Sequence, residues 1–282
     1  MTENAANVTS ASRPALSIVV PTYNERDRLA ALVAAVLALF ARHRLPAELV
    51  IVDDNSPDGT GRVADELAGR HALQVVHRPG KLGLGSAVID GFAAATGEVL
   101  GVMDADLSHP PDSLVTLFAV LESAGVDAVV GSRYIAGGGT RNWPQSRLVM
   151  SRAACLLARL LTPVRDATSG LFLVRRTAIR GVSISAAGFK ICLELIVRGD
   201  VGSIAEVPYI FTGRTAGESK MNTGEALGYL SQLASLYRLR YSAARRGRRP
   251  RYVRLTLEQA RRHVAAREAG LARQGGDDRH PA

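Results

Sequence analysis

The stretch EVLGVMDADLSHPP, residues 98–111, carries the strongest signal for the fold. It begins with an apolar run typical of a buried strand, and two carboxylates follow directly. Residues two apart on an extended chain point the same way, about 6.6–6.8 Å apart at Cα, so Asp104 and Asp106 can reach one cation. Ser108 offers a third oxygen, and Mg²⁺ or Mn²⁺ completed by substrate phosphates is the expected occupant. The alternative for an isolated Asp-x-Asp is a local turn or capping role.

Apolar runs of the same kind alternate with helical patterns through the first half of the chain. The predicted strands are Leu16–Val20, Glu48–Val52, Leu73–His77, Glu98–Met103 and Asp127–Gly131. Apolar residues at helical spacing predict a helix over Leu29–Phe40, capped by Asn24. The alternation indicates an α/β fold with a mostly parallel sheet that helices cover on both faces. In such sheets ligands bind beyond the carboxyl ends of the strands.

Polar and acidic residues gather at those carboxyl ends. PTYNE (residues 21–25) follows the first strand, DDNSPDGT (53–60) the second, and GSRY (131–134) ends the fifth. Adjacent residues diverge, so of Asp53 and Asp54 one is expected to face a ligand and the other to hydrogen-bond the loop backbone. The sequence therefore predicts a ligand site at one edge of the sheet.

Two further segments near that edge have weaker signals. KLGLG (residues 81–85) follows the third strand but lacks the spacing of a P-loop, so we interpret it as a close-packing turn near the ligand. Lys81 is expected to make a minor electrostatic contribution. His109 is expected to support the acidic pair by packing rather than to act in catalysis.

The second half of the chain is less regular. Helices are predicted over Ser151–Leu161, Lys190–Val197 and Asn222–Tyr237, and a strand over Ser203–Phe211. The last of these helices is amphipathic. Its predicted apolar side consists of Leu227, Leu230, Leu233, Ala234 and Tyr237.

Composition and charge set the domain organisation and the kind of partner. We predict a flexible N-terminus over residues 1–15, one α/β domain over 16–237 and a basic, largely disordered tail over 238–282. The formal net charge of +9 favours anionic partners. Nucleic acid is disfavoured as a partner, because aromatic residues are not interleaved with the arginines of the tail.

Cys155 and Cys192 are expected to be buried free thiols. No signal peptide or membrane-spanning segment is predicted.

In combination and order, these motifs resemble the dolichol-phosphate mannosyltransferase group of family 2 glycosyltransferases. The resemblance spans about Leu16 to Tyr237 and includes Ser169-Gly170, Gly188 to Lys190 and Arg214 to Lys220. It implies a GT-A fold, a divalent cation (Mg²⁺ or Mn²⁺), and inverting transfer of mannose from GDP-mannose to a polyprenyl phosphate. The chain departs from the family in its arginine-rich tail, for which the family offers no matching motif.

The resemblance also implies roles for individual positions. The residues expected to bind the nucleotide are Pro21, Tyr23, Glu25, Val52 and Asp54. Those expected at the diphosphate and the metal are Asp104, Ala105 and Asp106, with Ser108 assisting the cation. Those expected to hold phosphates of donor or acceptor are Arg133, Arg214 and Lys220. Asp104, Asp106 and Arg133 are the expected catalytic residues.

Several alternatives stay open. A related transferase could use another sugar, such as UDP-glucose, or another acceptor, and a non-catalytic membrane-associated scaffold is the alternative from a different class. A sugar nucleotidyltransferase is disfavoured, because PTYNE stands where its glycine-rich loop would be. We expect the protein to lie on the cytoplasmic face of a membrane as a peripheral enzyme. The Asn222–Tyr237 helix and the basic tail are either an interfacial anchor or a packing or dimerisation helix with a solvated tail. A homo-oligomer and a membrane-anchoring subunit both stay open.

Overall fold

A computed structural model describes residues 14–182, 190–213, 223–242 and 250–277. The strands are β1 Leu16–Thr22, β2 Ala47–Asp53, β3 Gln74–His77, β4 Val99–Val102, β5 Ala128–Ser132, β6 Gly139–Arg141, β7 Phe172–Arg175, β8 Ser203–Pro208, β9 Ile210–Thr212 and β10 Arg251–Arg254. The helices are α1 Arg26–Arg42, α2 Thr60–Ala68, α3 Leu84–Ala94, α4 Asp112–Ser123, α5 Gln145–Leu157, α6 Ile191–Arg198, α7 Thr223–Tyr241 and α8 Leu257–Asp277. Short 3₁₀ helices follow α5 and β7, at Ala158–Leu160 and Arg176–Ile179.

Eight of these strands form one sheet in the order β10-β8-β5-β7-β4-β1-β2-β3. All neighbouring pairs are parallel except those of β7, which runs antiparallel to both β4 and β5. β6 and β9 form a separate parallel pair. The predicted mostly parallel sheet is therefore confirmed, with one reversed strand near its centre.

Helices cover both faces of this sheet, because successive strand residues point to opposite sides. Ile18 and Ile51 pack into a core with the apolar faces of α1 and α4. Val19 and Val50 point the other way, into a second core with α3 and α6. The strands are apolar along their whole length because both of their faces are buried.

The start of α1 differs from the prediction. Glu25 occupies the N-cap position, and Asn24 lies just outside the helix with a positive φ of 59°. Asparagine is among the residues that tolerate this left-handed conformation, so Asn24 forms the turn that leads from β1 into the helix.

The predicted strand over Ser203–Phe211 is interrupted at Tyr209, which lies between β8 and β9.

The prediction of a largely disordered tail over 238–282 is wrong for residues 250–277. β10 adds a parallel strand to the edge of the main sheet beside β8, and α8 packs against α4. Thr256 and Gln259 form a reciprocal capping box at the start of α8, with bonds of 2.8 and 3.2 Å. The many arginines of this segment obscured the capping signal in the sequence. Because β10 joins the main sheet and α8 packs against α4, the domain extends beyond residue 237.

Tyr252 ties β10 to the interior of the domain. Its hydroxyl donates to the carboxylate of Glu206, a fully buried residue of β8. Replacing Tyr252 with phenylalanine is expected to lower the free energy of unfolding by about 1–3 kcal/mol, because a buried carboxylate loses a hydrogen bond. Urea unfolding checks this value. Tyr241→Phe, at an exposed tyrosine, is the matched control and should change stability little; an equal effect of both variants would contradict the assignment.

Two other predictions concern the second half of the chain. Cys155 and Cys192 are buried free thiols, as predicted. Burial is the main cause, and the nearby charge of Asp166 the second, that raises the pKa of Cys155 to about 11.

The predicted apolar side of α7 is wrong in part, since Leu227 and Leu230 are exposed. The side that packs inward carries Tyr229, Gln232, Leu233 and Leu236. Within the described ranges, no helix is long and apolar enough to cross a membrane.

Candidate active site

The carboxyl ends of β1, β2, β4 and β5 meet at one edge of the sheet. Pro21 in β1 pairs with Val52 in β2, and on the other side Val19 pairs with Val102 in β4. Asp54 and Asp104 therefore follow the two strands that flank β1. The structure thus brings the acidic strand ends to one edge, as the sequence predicts.

Asp104 is held in place by a buried histidine. The imidazole Nε2 of His109 lies 2.9 Å from Asp104 Oδ2, and its ring stacks on Tyr209 and meets the edge of Phe211. Asp106, two residues further along, accepts a hydrogen bond of 2.9 Å from the amide of Ser108. The two carboxylates are thus fixed from different directions, which orients them before any ligand binds.

The reversed direction of β7 brings a distant loop against this pair. Because β7 is antiparallel, its first residue, Phe172, lies at the same edge as the ends of β4 and β5. The preceding Gly170 lies directly against Asp104, so that a Cβ there would stand 3.1 Å from Oδ2. A side chain at this position would displace the carboxylate.

Gly170 offers a direct test of that geometry. Gly170→Ala is expected to weaken Mn²⁺ binding and to lower kcat of the glycosyl transfer that the resemblance implies by about 10- to 100-fold, because small misplacements of groups in an active site are costly. Enzyme kinetics and calorimetric titration with Mn²⁺ measure the two effects. Gly224→Ala, where a Cβ meets nothing within 4 Å, is the matched control. Unchanged kcat and metal affinity in Gly170→Ala would show that the contact does not position Asp104.

The donor atoms at this edge fit a hard divalent cation. Asp104 and Asp106 supply two carboxylates, and the Ser108 hydroxyl is buried without a hydrogen-bond partner. A buried hydroxyl without a partner is costly, and a cation or its water shell would satisfy it. No group of three or more histidine, cysteine or acidic residues able to bind a metal occurs in the described part of the chain. The remaining ligands would therefore come from substrate phosphates and water.

Asp53 and Asp54 divide their tasks as expected of neighbours. Asp53 is buried and accepts hydrogen bonds from the Ser56 amide (3.0 Å) and hydroxyl (2.5 Å), which closes the loop after β2. Asp54 turns to the other side, where its Oδ2 accepts from the Gly83 amide at 3.0 Å and its Oδ1 pairs with Arg78. Asp53 is structural, and Asp54 lies on the side of the glycine-rich segment.

Arg78 contacts the predicted site residue Asp54, and the sequence reasoning missed it. It is buried, and its guanidinium also binds Asp90 (2.8 Å) and the Ser86 hydroxyl (2.6 Å). It follows β3 directly, so a search for polar residues at the carboxyl ends of the predicted strands could have found it. Gly83, with a φ of 96°, is a position that favours glycine, and its amide reaches Asp54 in that conformation.

The other residues expected to bind the nucleotide lie in different environments. The Tyr23 ring is half-buried, with Lys81 Nζ 4.1 Å from its centroid. Glu25 is buried and pairs with Arg28 at 3.3 Å. The side chain of Val52 is fully buried in the core, so a nucleotide could reach only its main chain. Pro21 is half-buried at the end of β1 and Ala105 is buried after β4.

Arg133 is enclosed rather than exposed to the cleft. Asp166, which is fully buried, accepts from Arg133 Nε (2.7 Å), Nη2 (2.6 Å) and the amide (2.9 Å). Burial alone lowers the pKa of Arg133, but the charge and hydrogen bonds of Asp166 outweigh it and raise the pKa above its ordinary value. The rings of Tyr134 and Trp143 lie within 5.2 Å of the guanidinium carbon. Much of the cation's hydrogen-bonding capacity is thus used within the protein.

Glu206 fixes the loop that supplies Asp166. Its two carboxylate oxygens accept from the amides of Arg165 and Asp166, each at 2.9 Å. Sequence reasoning missed Asp166 and Glu206, since neither follows a predicted parallel strand. Arg214 and Lys220, the other predicted phosphate ligands, lie outside the described residues.

Comparison with known proteins places this site in a family. The model of glycosyl transferase family 2 matches residues 17–182, more than half of the chain. The chain therefore belongs to glycosyl transferase family 2, and it is a glycosyltransferase.

Curated relatives define the group more narrowly. The chain is 39% identical over 228 residues to a dolichol-phosphate mannosyltransferase of Pyrococcus furiosus, covering 79% of this chain but only 63% of that one. It is 37% identical to the dolichol-phosphate mannosyltransferase of Saccharomyces cerevisiae, covering 80% and 88% of the two chains. It is 40% identical to a polyprenol monophosphomannose synthase of Mycolicibacterium smegmatis, covering 73% and 80%. Within the family, it groups with the dolichol-phosphate mannosyltransferases.

Solved structures show the GT-A fold. Glucosyl-3-phosphoglycerate synthase from Mycobacterium tuberculosis, in complex with Mn²⁺, UDP and glucosyl-3-phosphoglycerate, superposes with a TM-score of 0.59 at 22% identity. That match covers 82% of this chain and 80% of the other. A mannosyltransferase from Pyrobaculum calidifontis in complex with GDP-Man and Mn²⁺ gives a TM-score of 0.56 at 18% identity, covering 94% and 80%.

Proposed function

We propose that this chain transfers mannose from GDP-mannose to a polyprenyl phosphate, with inversion at the anomeric carbon. The names of its curated relatives support the sugar and the class of acceptor. The observation that carries the proposal is the acidic pair at the sheet edge, where His109 and Gly170 hold Asp104 beside Asp106. Such a pair suits a substrate that brings its own phosphates to a shared cation.

The chain's residues fit a hard divalent cation, Mg²⁺ or Mn²⁺, and two solved neighbours with the same fold are complexes with Mn²⁺. Asp104 and Asp106 would hold the cation, with Ser108 contributing its buried hydroxyl. When bound, the cation neutralises charge on the diphosphate leaving group. His109 is engaged with Asp104, so its part is to orient that carboxylate.

The neighbouring strand ends supply a place for the nucleotide. Asp54, fixed by Arg78 and the Gly83 amide, presents a positioned carboxylate, and Tyr23 with Lys81 flanks the same side. A carboxylate held by two donors has a fixed direction, which suits a hydrogen-bond acceptor for a base or ribose. We therefore place the nucleotide across the ends of β1, β2 and β3.

The acceptor needs little activation in this reaction. A phosphate oxygen is already anionic near neutral pH, so no strong general base is required. The task of the protein is to hold two anionic substrates together despite their repulsion. We assign this to Arg133, positioned by Asp166, together with the predicted phosphate ligands Arg214 and Lys220. We place the reaction at the cytoplasmic face of a membrane, where a soluble nucleotide sugar meets a lipid acceptor.

The decisive experiment incubates the full chain with labelled GDP-mannose, a polyprenyl phosphate and Mn²⁺, followed by lipid extraction. We expect label in the lipid phase, its loss with EDTA, and its recovery when Mn²⁺ or Mg²⁺ is restored. The anomeric coupling in the product's NMR spectrum tests inversion. Transfer from UDP-glucose in place of GDP-mannose, or no lipid product with any donor, would overturn the proposal.

A further inference from the structure

The last strand of the sheet, β10, lies well beyond the residues that the family model matches. It nevertheless pairs in parallel with β8, and Arg254 lies opposite Glu206 in that pairing. The amide of Leu255, directly after the strand, donates to the Glu206 carbonyl at 3.0 Å. The C-terminal segment therefore holds the main chain of β8 at Glu206.

The side chain of Glu206 depends on the same strand. It is fully buried, and burying a polar group costs free energy unless hydrogen bonds replace those lost from water. The amides of Arg165 and Asp166 each donate to it at 2.9 Å, and the hydroxyl of Tyr252 in β10 is a further donor. Removing that hydroxyl therefore changes the set of bonds that orients the carboxylate.

The loop that Glu206 holds reaches both halves of the active site before it enters β7. At its start, the Asp166 carboxylate accepts three hydrogen bonds of 2.6 to 2.9 Å from Arg133. Four residues later, Gly170 lies against the carboxylate of Asp104. The position of this loop thus sets the direction of a guanidinium group and limits the position of a carboxylate.

A continuous series of hydrogen bonds links β10 to Arg133. We call the four residues Tyr252, Glu206, Asp166 and Arg133 the Tyr252–Arg133 network. The two carboxylates are fully buried and Arg133 is 8% exposed, so water competes little with these bonds. Hydrogen bonds in series strengthen one another in such a low-dielectric interior, so the loss of one weakens its neighbours.

The other contacts of Arg133 do not replace this support. Within the described ranges, the side-chain oxygens that accept from its guanidinium belong to Asp166 and Thr168, and both residues lie on the loop that Glu206 holds. Its remaining neighbours are aromatic rings, which attract a cation but do not fix the direction of its N–H groups as a hydrogen bond does. The orientation of Arg133 therefore follows the position of that loop.

We propose that Tyr252 is a positioning residue for Arg133, so that β10 sets how well the enzyme binds the phosphate of its acceptor. This deepens the proposed function, on which it rests, because that function assigns the acceptor phosphate to Arg133. The acceptor site thus depends on a segment beyond residue 250 that the motifs of the family do not reach.

Steady-state kinetics of Tyr252→Phe with a short, water-soluble prenyl phosphate test the proposal. The KM for this acceptor should rise about threefold to tenfold, because a small misplacement of a binding group is costly. The KM for GDP-mannose should stay near that of the parent, since the nucleotide lies across the ends of other strands. Glu206→Gln should raise the acceptor KM further, because an NH₂ group replaces one of the two oxygens that accept main-chain bonds.

Val36→Ala is the control that separates positioning from a loss of stability. Val36 is a fully buried residue of α1, a helix that contributes nothing to the Tyr252–Arg133 network. Removing its methyl groups should lower stability but leave the acceptor KM at the parent value, with all assays run where every variant is folded. A parent-like acceptor KM in Tyr252→Phe, or an equal rise in Val36→Ala, would overturn the proposal.

The NMR signal of Arg133 Nε–H gives a readout that needs no activity. In full-length protein with ¹⁵N-labelled arginine, this signal is assigned by its absence from Arg133→Lys. Tyr252→Phe should shift it and speed its hydrogen exchange about tenfold, because its bond to Asp166 is weakened, whereas Val36→Ala should leave its position unchanged.

The same signal distinguishes this proposal from the proposed function. If the parent chain transfers no mannose but the Arg133 signal responds to Tyr252→Phe as expected, the proposed function fails and the positioning role stands. If the parent transfers mannose but the signal is the same in Tyr252→Phe as in the parent, the proposed function stands and Tyr252 does not position Arg133.

Discussion

Replacing Asp106 with asparagine is expected to lower kcat for mannose transfer about a hundred- to a thousandfold. Asparagine keeps an oxygen that can accept the 2.9 Å hydrogen bond from the Ser108 amide, so the loop should keep its shape. It removes the negative charge that a hard cation prefers among its ligands. Steady-state kinetics over a range of Mn²⁺ concentrations, together with calorimetric binding of Mn²⁺, measure the loss.

The control for this prediction is Asp112→Asn. Asp112 begins α4 and pairs with Arg42 at the surface, where its side chain is 74% exposed. Exposed pairs of this kind contribute about 1 kcal/mol or less, so kcat and stability should stay near those of the parent. Near-normal transfer by Asp106→Asn in the presence of a chelator would show that the metal hypothesis is wrong.

Replacing Asp166 with leucine is expected to lower the free energy of unfolding by about 3–5 kcal/mol, because it leaves the buried Arg133 guanidinium without its counter-charge. Transfer should be lost as well, since Arg133 is then no longer held in its observed position. Urea denaturation and kinetic assays measure the two effects. Arg62→Ala, which breaks the exposed pair with Glu66, is the control and should cost less than about 1 kcal/mol.

A double variant separates stability from function at the same pair. Arg133→Met/Asp166→Leu replaces both buried charges with apolar groups and should recover most of the lost stability. It should remain inactive, because no guanidinium is left to hold a phosphate. If this variant were stable and transferred mannose at the parent rate, the pair would be structural only.

Much of the candidate site was predictable because it depends on local sequence. Apolar strands followed at once by Asp54, or by Asp104 and Asp106, predict carboxylates at the edge of a parallel sheet, and the structure places them there. The division between Asp53 and Asp54 followed from the divergence of adjacent side chains. These inferences use the order of residues along single strands and need no knowledge of distant pairing.

The parts that sequence reasoning missed depend on long-range pairing. Nothing local shows that Phe172–Arg175 is antiparallel, yet that direction places Gly170 against Asp104 and brings Asp166 to Arg133. The buried role of Glu206 depends on β10, which joins the sheet more than 40 residues later. Such partners become visible only when the strand order is known.

The position of β7 also sets the sequence of events during synthesis. β4 and β5 are consecutive in the chain but are not neighbours, since β7 lies between them. A nascent chain that has not yet released residues 172–175 from the ribosome therefore cannot join the two parts of its sheet. Pairings between distant segments form slowly, so insertion of this central strand is expected to be a late step. A polypeptide that stops before Phe172 would contain most of the acidic residues of the site but would lack the strand that unites them.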